Sequence, residues 1–334
     1  MDQSTDFQRN PPDRIAAKIT RRNFLKLSAL LAGVLALPRL YVDQIADALA
    51  SGQRLPVVWL EFQDCTGDTE SFLRASPRSD PIQPSVTDPD IISLLLDVIS
   101  LEYHETLMVP AGIQSEKSLQ DVLQQYAGGF VCIVEGSIPT ADGGLYCTIR
   151  GQTALSIAQQ VLPQARAVIA AGSCAWDGGL AAASPNLTGA VGVRQAVPGL
   201  QQFVALPGCP SNSVNLVATL VYLLTFDRLP ERDSQDRPFF AYGEEIHEEC
   251  PREDYYEDGK FVLAWGDEGH RNGWCLFKMG CKGPRTRHNC PQVKWNDGTN
   301  WPIGSGHGCI GCASPKFWDA HGPIYQPLPD GGDD

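Results

Sequence analysis

The sequence predicts an α/β fold, a doubly wound parallel sheet followed by a smaller, loop-rich C-terminal domain that binds through its cysteines. Three observations carry this reading. Short apolar runs rich in β-formers alternate with helix-like stretches as far as Asp227. Beyond it, periodic segments give way to Gly, Pro, Trp, Asp and Cys, and six of the eleven cysteines fall there. A region of that composition usually needs cross-links or metal clusters to stay ordered.

The strand candidates, in order, are 56–62 (PVVWLEF), 129–134 (GFVCIV), 165–171 (ARAVIAA) and 202–206 (QFVAL). The helix-like stretches are 91–99, 115–126, 153–161 and 213–225. This alternation implies parallel strands in a domain of roughly 170–180 residues. Cys132 sits inside a strand run and reads as core. Cys147 lies in a turn beside Gly143-Gly144 and also reads as structural.

The strand runs lead into loops that carry chemistry. They are Asp64-Cys65-Thr66-Gly67-Asp68, Glu135-Gly136, Gly172-Ser173-Cys174 and Pro207-Gly208-Cys209-Pro210. Ligands of open α/β sheets sit outside the carboxyl ends of the strands. Three cysteines at three such ends therefore converge on one place.

The first fifty residues read as a signal. Thr20-Arg21-Arg22-Asn23-Phe24-Leu25-Lys26 precedes an apolar run from Leu27 to Leu37, then Pro38 and the small-residue site Ala48-Leu49-Ala50. This is the twin-arginine layout, and eleven apolar residues are too few to span a bilayer. The alternative is a chance Arg-Arg before an amphipathic helix. The expectation is export of an already folded chain to the periplasm or the outer face of the membrane, with residues 1–50 removed. Those residues hold seven basic and five acidic side chains, so the remainder carries −15 where the whole chain carries −13. Such acidity argues against nucleic acid or an anionic membrane as partner. With 43% hydrophobic and 19% charged residues, a sizeable core is expected and disorder is not. An odd cysteine count in an exported protein cannot pair fully, which favours metal ligation over a disulfide framework.

Three ligand groups follow. The first is Cys65, Cys174 and Cys209 with Asp68 as a possible fourth member. Thiolates are soft donors suited to iron–sulfur clusters, and Gly67, Gly172 and Gly208 let backbone N–H groups approach the cluster sulfurs. Taken singly, each cysteine would more often be structural. The second group is His247, Cys250, Cys275 and Cys281, which suits either a [4Fe-4S] cluster or zinc, with a disulfide plus a spare thiol as a further alternative. The third is Cys290, Cys309 and Cys312. Three cysteines fit a three-iron cluster better than a four-cysteine site, and nearby His307 reads as a hydrogen-bonding loop residue. Glu70 and Glu135 stand near the first group as candidates for positioning it or passing protons. No Gly-rich dinucleotide fingerprint follows the first strand, so direct nicotinamide binding is not expected.

Along nearly its whole length the chain resembles the small subunit of nickel–iron hydrogenases. The resemblance rests on Cys65-Thr66-Gly67, Tyr103-His104-Glu105-Thr106 with Ala111-Gly112, Val134-Glu135-Gly136, Gly172-Ser173-Cys174-Ala175 and Pro207-Gly208-Cys209-Pro210. It continues through Leu224-Thr225-Phe226-Asp227-Arg228, Ile246-His247, Cys275 to Pro284 (CLFKMGCKGP), Trp301-Pro302-Ile303 and Gly306 to Cys312 (GHGCIGC). It implies a flavodoxin-like domain, 51–228, holding a proximal cluster on Cys65, Cys174 and Cys209. A C-terminal domain, 229–334, would hold a distal [4Fe-4S] cluster on His247, Cys250, Cys275 and Cys281 and a medial [3Fe-4S] cluster on Cys290, Cys309 and Cys312. With a [4Fe-4S] proximal site the set is two [4Fe-4S] and one [3Fe-4S]. The nickel–iron centre would belong to a separate large subunit. This chain would pass electrons between that centre and an external carrier, a membrane cytochrome or another iron–sulfur subunit, as part of a hydrogen:acceptor oxidoreductase.

The family's Cys-x-x-Cys departs here at Asp68. A subgroup, the actinobacterial-type hydrogenases, is similar in using three cysteines and one aspartate, so Asp68 is expected to ligate through oxygen. The alternative is that it faces solvent or caps the next helix. Positions 66 and 179 are Thr66 and Gly179, so the six-cysteine proximal site is not supported. Membrane-bound relatives carry a C-terminal transmembrane helix, whereas this sequence ends in PLPDGGDD, so a membrane link is expected from another subunit. The rival from a different class is an exported zinc- or disulfide-stabilised binding protein, which would be colourless and free of iron.

Overall fold

A five-stranded parallel sheet forms the centre of the computed structural model, which describes residues 21–51, 54–75, 99–296 and 298–329. The strands are β1 (Leu55–Glu61), β2 (Ile99–His104), β3 (Val131–Glu135), β4 (Ala167–Ala171) and β5 (Phe203–Leu206). In space they run β2-β1-β3-β4-β5. That order reverses direction between β1 and β3, so the crevice outside their carboxyl ends is the binding position of a doubly wound sheet. Val131–Glu135 and Ala167–Ala171 are buried at every residue, which explains their unbroken apolar runs: helices cover both faces.

Four strands match the sequence reading. The fifth, β2, is a correction. The stretch 91–99 reads as a helix, yet Ile99 opens a strand, and 91–98 lie outside the described residues. The strand Ile99–His104 pairs with β1 alone, and its middle is half-exposed. An edge strand of this kind needs no continuous apolar run.

Among the described residues, seven helices of six residues or more frame the sheet: α1 (Arg21–Val34), α2 (Val42–Ala50), α3 (Gly67–Leu73), α4 (Ile113–Gln125), α5 (Ala154–Val161), α6 (Gly172–Asp177) and α7 (Ser213–Phe226). The Asn212 side chain caps α7 by accepting from Val214 N (3.0 Å), and ten of the fourteen α7 residues are buried. Apolar on all sides, α7 is an interior helix. Its outer cover is the leading segment. Leu31 of α1 and Ile45 of α2 are fully buried and, with Leu49, share a core with Leu216, Leu220 and Leu223. The apolar run expected in a signal is thus a docked helix here, while residues 1–20 lie outside the described part.

After α7 no described helix exceeds five residues, in line with the aperiodic sequence. Side chains tether this region to the sheet domain instead. Asn215 and Asn289 exchange buried amide hydrogen bonds (2.9 and 3.0 Å), and Tyr242 Oη donates to Pro207 O (2.8 Å). Buried Arg237 pairs with Asp233 and donates to Ala313 O (3.1 Å). All eleven cysteines are free thiols.

Candidate metal centres

The first ligand group forms where the loops after β1, β4 and β5 meet. Cys65 ends the β1 loop and Thr66 turns the chain through a left-handed conformation (φ 59°) into α3. Cys174 lies in α6, directly after β4, and Cys209 follows β5. The three elements are stitched together: Ser173 N donates to Gly208 O (2.8 Å), and Ser71 Oγ to Ser211 O (2.7 Å). Cys65 and Cys209 remain exposed on the surface of the chain, while Cys174 is half-buried.

Asp68 stands among these cysteines, in the first turn of α3, and is only 7% exposed. Oδ1 accepts from Ser211 N (2.5 Å). The carboxylate lies against Gly172, where a Cβ would come within 2.3 Å of Oδ2. Burial, and then the negative charge of Glu135, push its pKa up to about 7 against the Ser211 hydrogen bonds. Burial and then Asp68 raise the Cys174 thiol to about 11. Asp68 is therefore neither solvent-facing nor the cap of α3. It adds negative charge beside the Cys174 thiol, where an added cation would be favoured.

The cap of α3 comes from Glu135, at the end of β3. Its carboxylate accepts from Asp68 N (2.9 Å), Thr69 N (3.0 Å), Thr69 Oγ1 (2.6 Å) and Trp59 Nε1 (3.1 Å). Thr69 Oγ1 also lies 3.2 Å from His104 Nε2, and His104 Nδ1 lies 3.4 Å from Glu61. Burial works to raise the Glu61 pKa, but His104 and Thr106 hold it below the ordinary value. Glu135 thus has the positioning part that its sequence position suggests. Glu70 is exposed and ion-paired with Arg74 at 3.6 Å, and it lines a cavity with Gly67 and Cys209.

The second group comes together in one place. His247, Cys250, Cys275 and Cys281 line one small cavity, walled by Leu276, Phe277, Pro284 and Ile303. The His247 ring packs edge-on against Tyr256 (4.7 Å), and Cys250 N donates to His247 O (3.1 Å). Burial drives the Cys275 thiol up to about 11, opposed by the Phe277 amide.

The third group lies between the other two. Cys290 and Cys309 are each 6% exposed. Gly311 N donates to Cys309 Sγ (3.3 Å), and Cys309 N donates to Cys281 Sγ of the second group (3.3 Å). On the opposite side, Ser173 Oγ donates to Cys312 O (2.5 Å). The sequence reading missed His288. Its Nδ1 lies 3.0 Å from Cys290 Sγ, and burial lowers its pKa to about 3, so the ring is neutral. Its place two residues before Cys290 was the available signal. His307 hydrogen-bonds rather than joining a ligand group: its ring contacts Gly308 O (2.8 Å) and Tyr325 Oη (3.3 Å) and stacks on Trp265. Cys132 is fully buried in β3, and Cys147 is half-buried in its turn.

A tetrahedral zinc with Zn–S bonds of about 2.3 Å holds its sulfurs about 3.8 Å apart. Among the described residues, the one trio of His, Cys, Asp or Glu ligand atoms lying within 4.8 Å of one another is acidic, Glu61, Asp64 and Glu135.

Comparison with known proteins agrees with this geometry. The family described as the C-terminal part of the NiFe/NiFeSe hydrogenase small subunit matches residues 242–325, and the family described as "NADH ubiquinone oxidoreductase, 20 Kd subunit" matches 65–223. The periplasmic [NiFe] hydrogenase small subunit 1 of Nitratidesulfovibrio vulgaris Hildenborough is 43% identical over 316 residues, covering 94% of this chain and 96% of the relative. The chain belongs to the [NiFe] hydrogenase small-subunit family. Another relative of this small subunit is the hydrogenase-2 small chain of Escherichia coli K12, 42% identical over 295 residues, with 88% of this chain and 76% of the relative covered. The fold matches the reduced, active Ni-Fe-Se hydrogenase of Desulfomicrobium baculatum with a TM-score of 0.73 at 34% identity, over 83% of this chain and 100% of that one. It also matches the actinobacterial-type NiFe-hydrogenase of Ralstonia eutropha H16, with a TM-score of 0.69 at 27% identity over 83% of each chain. The small subunit is thus an electron-transfer component of an oxidoreductase, and its family uses iron–sulfur clusters. Relatives are named periplasmic and quinone-reactive, and no described helix is long and apolar enough to cross a membrane.

Proposed function

We propose that this chain relays electrons through three iron–sulfur clusters between a nickel–iron large subunit and an external redox partner, in an enzyme that interconverts H2 with protons and electrons. The proximal cluster would rest on Cys65, Asp68, Cys174 and Cys209. The distal [4Fe-4S] would rest on His247, Cys250, Cys275 and Cys281, and the medial [3Fe-4S] on Cys290, Cys309 and Cys312. Iron–sulfur clusters supply reversible one-electron storage when bound. The observation that carries the reading is the contiguity of the ligand groups: Ser173, beside Cys174, touches Cys312, and Cys309 touches Cys281.

The residues fit such groups. The thiols are unpaired, and several are buried away from water. Asp68 is a buried carboxylate whose second oxygen lies against Gly172 and has no protein cation beside it. A carboxylate in place of a thiolate is one lever on cluster potential.

Partner placement follows from the exposed side of the proximal group. Cys65 and Cys209 open to the surface, and Leu107, Val109, Leu180 and Leu187 stand exposed in the segments that follow β2 and β4. Exposed apolar side chains clustered near a redox site favour burial by another subunit, here the large subunit. The distal group, at the other end, would meet the external carrier. Division into 51–228 and 229–334, and removal of residues 1–50 on export by the twin-arginine route, complete the reading. The two family matches, 65–223 and 242–325, support the division.

The test is metal analysis with electron paramagnetic resonance on the complex purified anaerobically through this chain. Brown protein with about eleven irons and a nickel-containing partner is expected. Colourless protein holding only zinc would sink the proposal. For Asp68, an iron–oxygen distance outside bonding range in the loaded protein would remove it from the ligand set.

A further inference from the structure

One hydroxyl joins the two ends of the first electron step. Ser173 is the second residue of α6, which follows β4 directly, and is 2% exposed. Its Oγ accepts from Gly208 N (3.0 Å) and lies 2.5 Å from Cys312 O and 3.1 Å from Gly208 O. A hydroxyl has a single hydrogen to donate, and the shorter contact takes it. Ser173 thus receives a hydrogen bond from the β5 loop and gives one to the C-terminal domain, while its own backbone N–H holds Gly208 O (2.8 Å). Its chain neighbour is Cys174, that of Gly208 is Cys209, and its third partner is Cys312 itself. Among the described residues, no other side chain hydrogen-bonds to the backbone of both a proximal-ligand loop and a medial ligand.

We propose that Ser173 is a positioning residue for electron transfer, whose hydroxyl clasps the Gly208-Cys209 loop to the carbonyl of Cys312 and so sets the distance and path between the proximal and medial clusters. The inference rests on the cluster assignment above and goes beyond it. The arrangement has the character of an electron-transfer contact rather than a general domain tie. Other links already join the domains, through Asn215–Asn289, Tyr242–Pro207 and Arg237–Ala313, and none of them involves a ligand residue directly. The Ser173 hydroxyl is buried and partnered by both ligand loops. Without the hydroxyl, Gly208 N and Cys312 O lose their partner together, and the loops gain freedom to part. Electron tunnelling falls off steeply with distance, so a small separation slows this step while leaving every ligand in place.

The experiment compares the wild-type heterodimer with Ser173→Ala and Ser173→Thr, all purified with their large subunit. Iron per complex is measured first. Magnetic coupling between the proximal and medial clusters follows, by electron paramagnetic resonance, and then the rate at which H2 reduces the medial cluster, by rapid freeze-quench. The expected result is unchanged iron in Ser173→Ala, altered coupling and severalfold slower medial reduction, with both returned toward wild type by threonine, which keeps the hydroxyl. Wild-type coupling and rate in a fully loaded alanine variant would overturn the proposal. If the alanine variant loses iron, threonine decides: full iron with wild-type coupling supports the clasp, and iron loss or altered coupling with threonine overturns it. A wild-type complex without cluster iron would fail the relay reading itself, a separate outcome visible before any variant is compared.

Discussion

The backbone amide of Cys309 points at the sulfur of Cys281 across 3.3 Å. Two ligand groups thereby share a hydrogen bond, and a Cβ at Gly308 would come within 2.9 Å of Cys281 Cα, so the backbones are in close contact. Replacing Cys281 should be felt on both sides. In Cys281→Ala, loss of about four irons is expected from the distal site. The medial cluster should survive with a shifted resonance spectrum, since the Cys309 amide has lost its acceptor. Full iron content in the variant would count against the assignment of Cys281.

Gly172 allows the Asp68 carboxylate its place. The residue has φ +79°, and an added Cβ would sit 2.3 Å from Oδ2. Gly172→Ala should cost about 1–3 kcal/mol through backbone strain alone, and more through the collision. Iron analysis should show the proximal cluster lost, about four irons, with the C-terminal clusters retained. Retention of all iron would mean that Asp68 can move without consequence, and hence that it is no ligand.

Glu135 holds the start of α3 with four accepted hydrogen bonds, two of them from the backbone. Glu135→Ala leaves buried N–H groups of Asp68 and Thr69 without partners, a loss of about 2–4 kcal/mol by urea denaturation. Glu135→Gln should lose less, because the amide oxygen still accepts. The alanine variant should also load less proximal iron than glutamine. Equal loading in the two would show that Glu135 acts on stability only.

Glu105 offers a pH signature away from the ligands. It accepts from Glu61 N (3.0 Å), and burial pushes its pKa up to about 8, opposed by that backbone hydrogen bond. The folded chain therefore keeps this proton up to about pH 8, whereas the unfolded chain releases it near its ordinary value of 4.5. Its contribution to stability is complete below that ordinary value and is lost as pH rises toward 8. Glu105→Gln should remove this dependence and gain stability relative to wild type on moving from pH 5 to pH 9, by an amount of the order of a few kcal/mol. Parallel urea midpoints for the two proteins across that range would refute the assignment.

Strands buried on both faces were legible because their residues must all be apolar. Val131 to Val134 and Ala167 to Ala171 left little alternative. The edge strand Ile99–His104 was hidden because Ser100 and Glu102 interrupt its apolar residues and the stretch before it has helical spacing. The candidate ligand cysteines stood out for a different reason: Cys65, Cys174 and Cys209 follow strand runs, and Cys275, Cys281, Cys309 and Cys312 fall in short Cys-containing motifs. Contacts between distant segments had no such marker. The partners of Ser173 lie 35 and 139 residues away, and those of Glu135 lie 66 and more. A serine beside a cysteine looks like any serine until the third chain segment is placed on it. His288 was hidden likewise, since its closeness to Cys290 Sγ depends on how the turn folds.

The order of the ligands along the chain differs from their order in space. In the proposed assignment, proximal ligands end at Cys209, distal ligands run from His247 to Cys281, and the medial group, which lies between the other two, is completed only by Cys309 and Cys312. A ribosome therefore finishes both outer sites before the one that connects them. During synthesis, the sheet domain and the distal pocket can each close as local units, as domains generally do. The middle arrives as a keystone from the final thirty or so residues. On that assignment, a chain stopped short of Cys309 would hold two separate electron stores with no conductor between them, and assembly would wait for the last turns before the molecule could carry current.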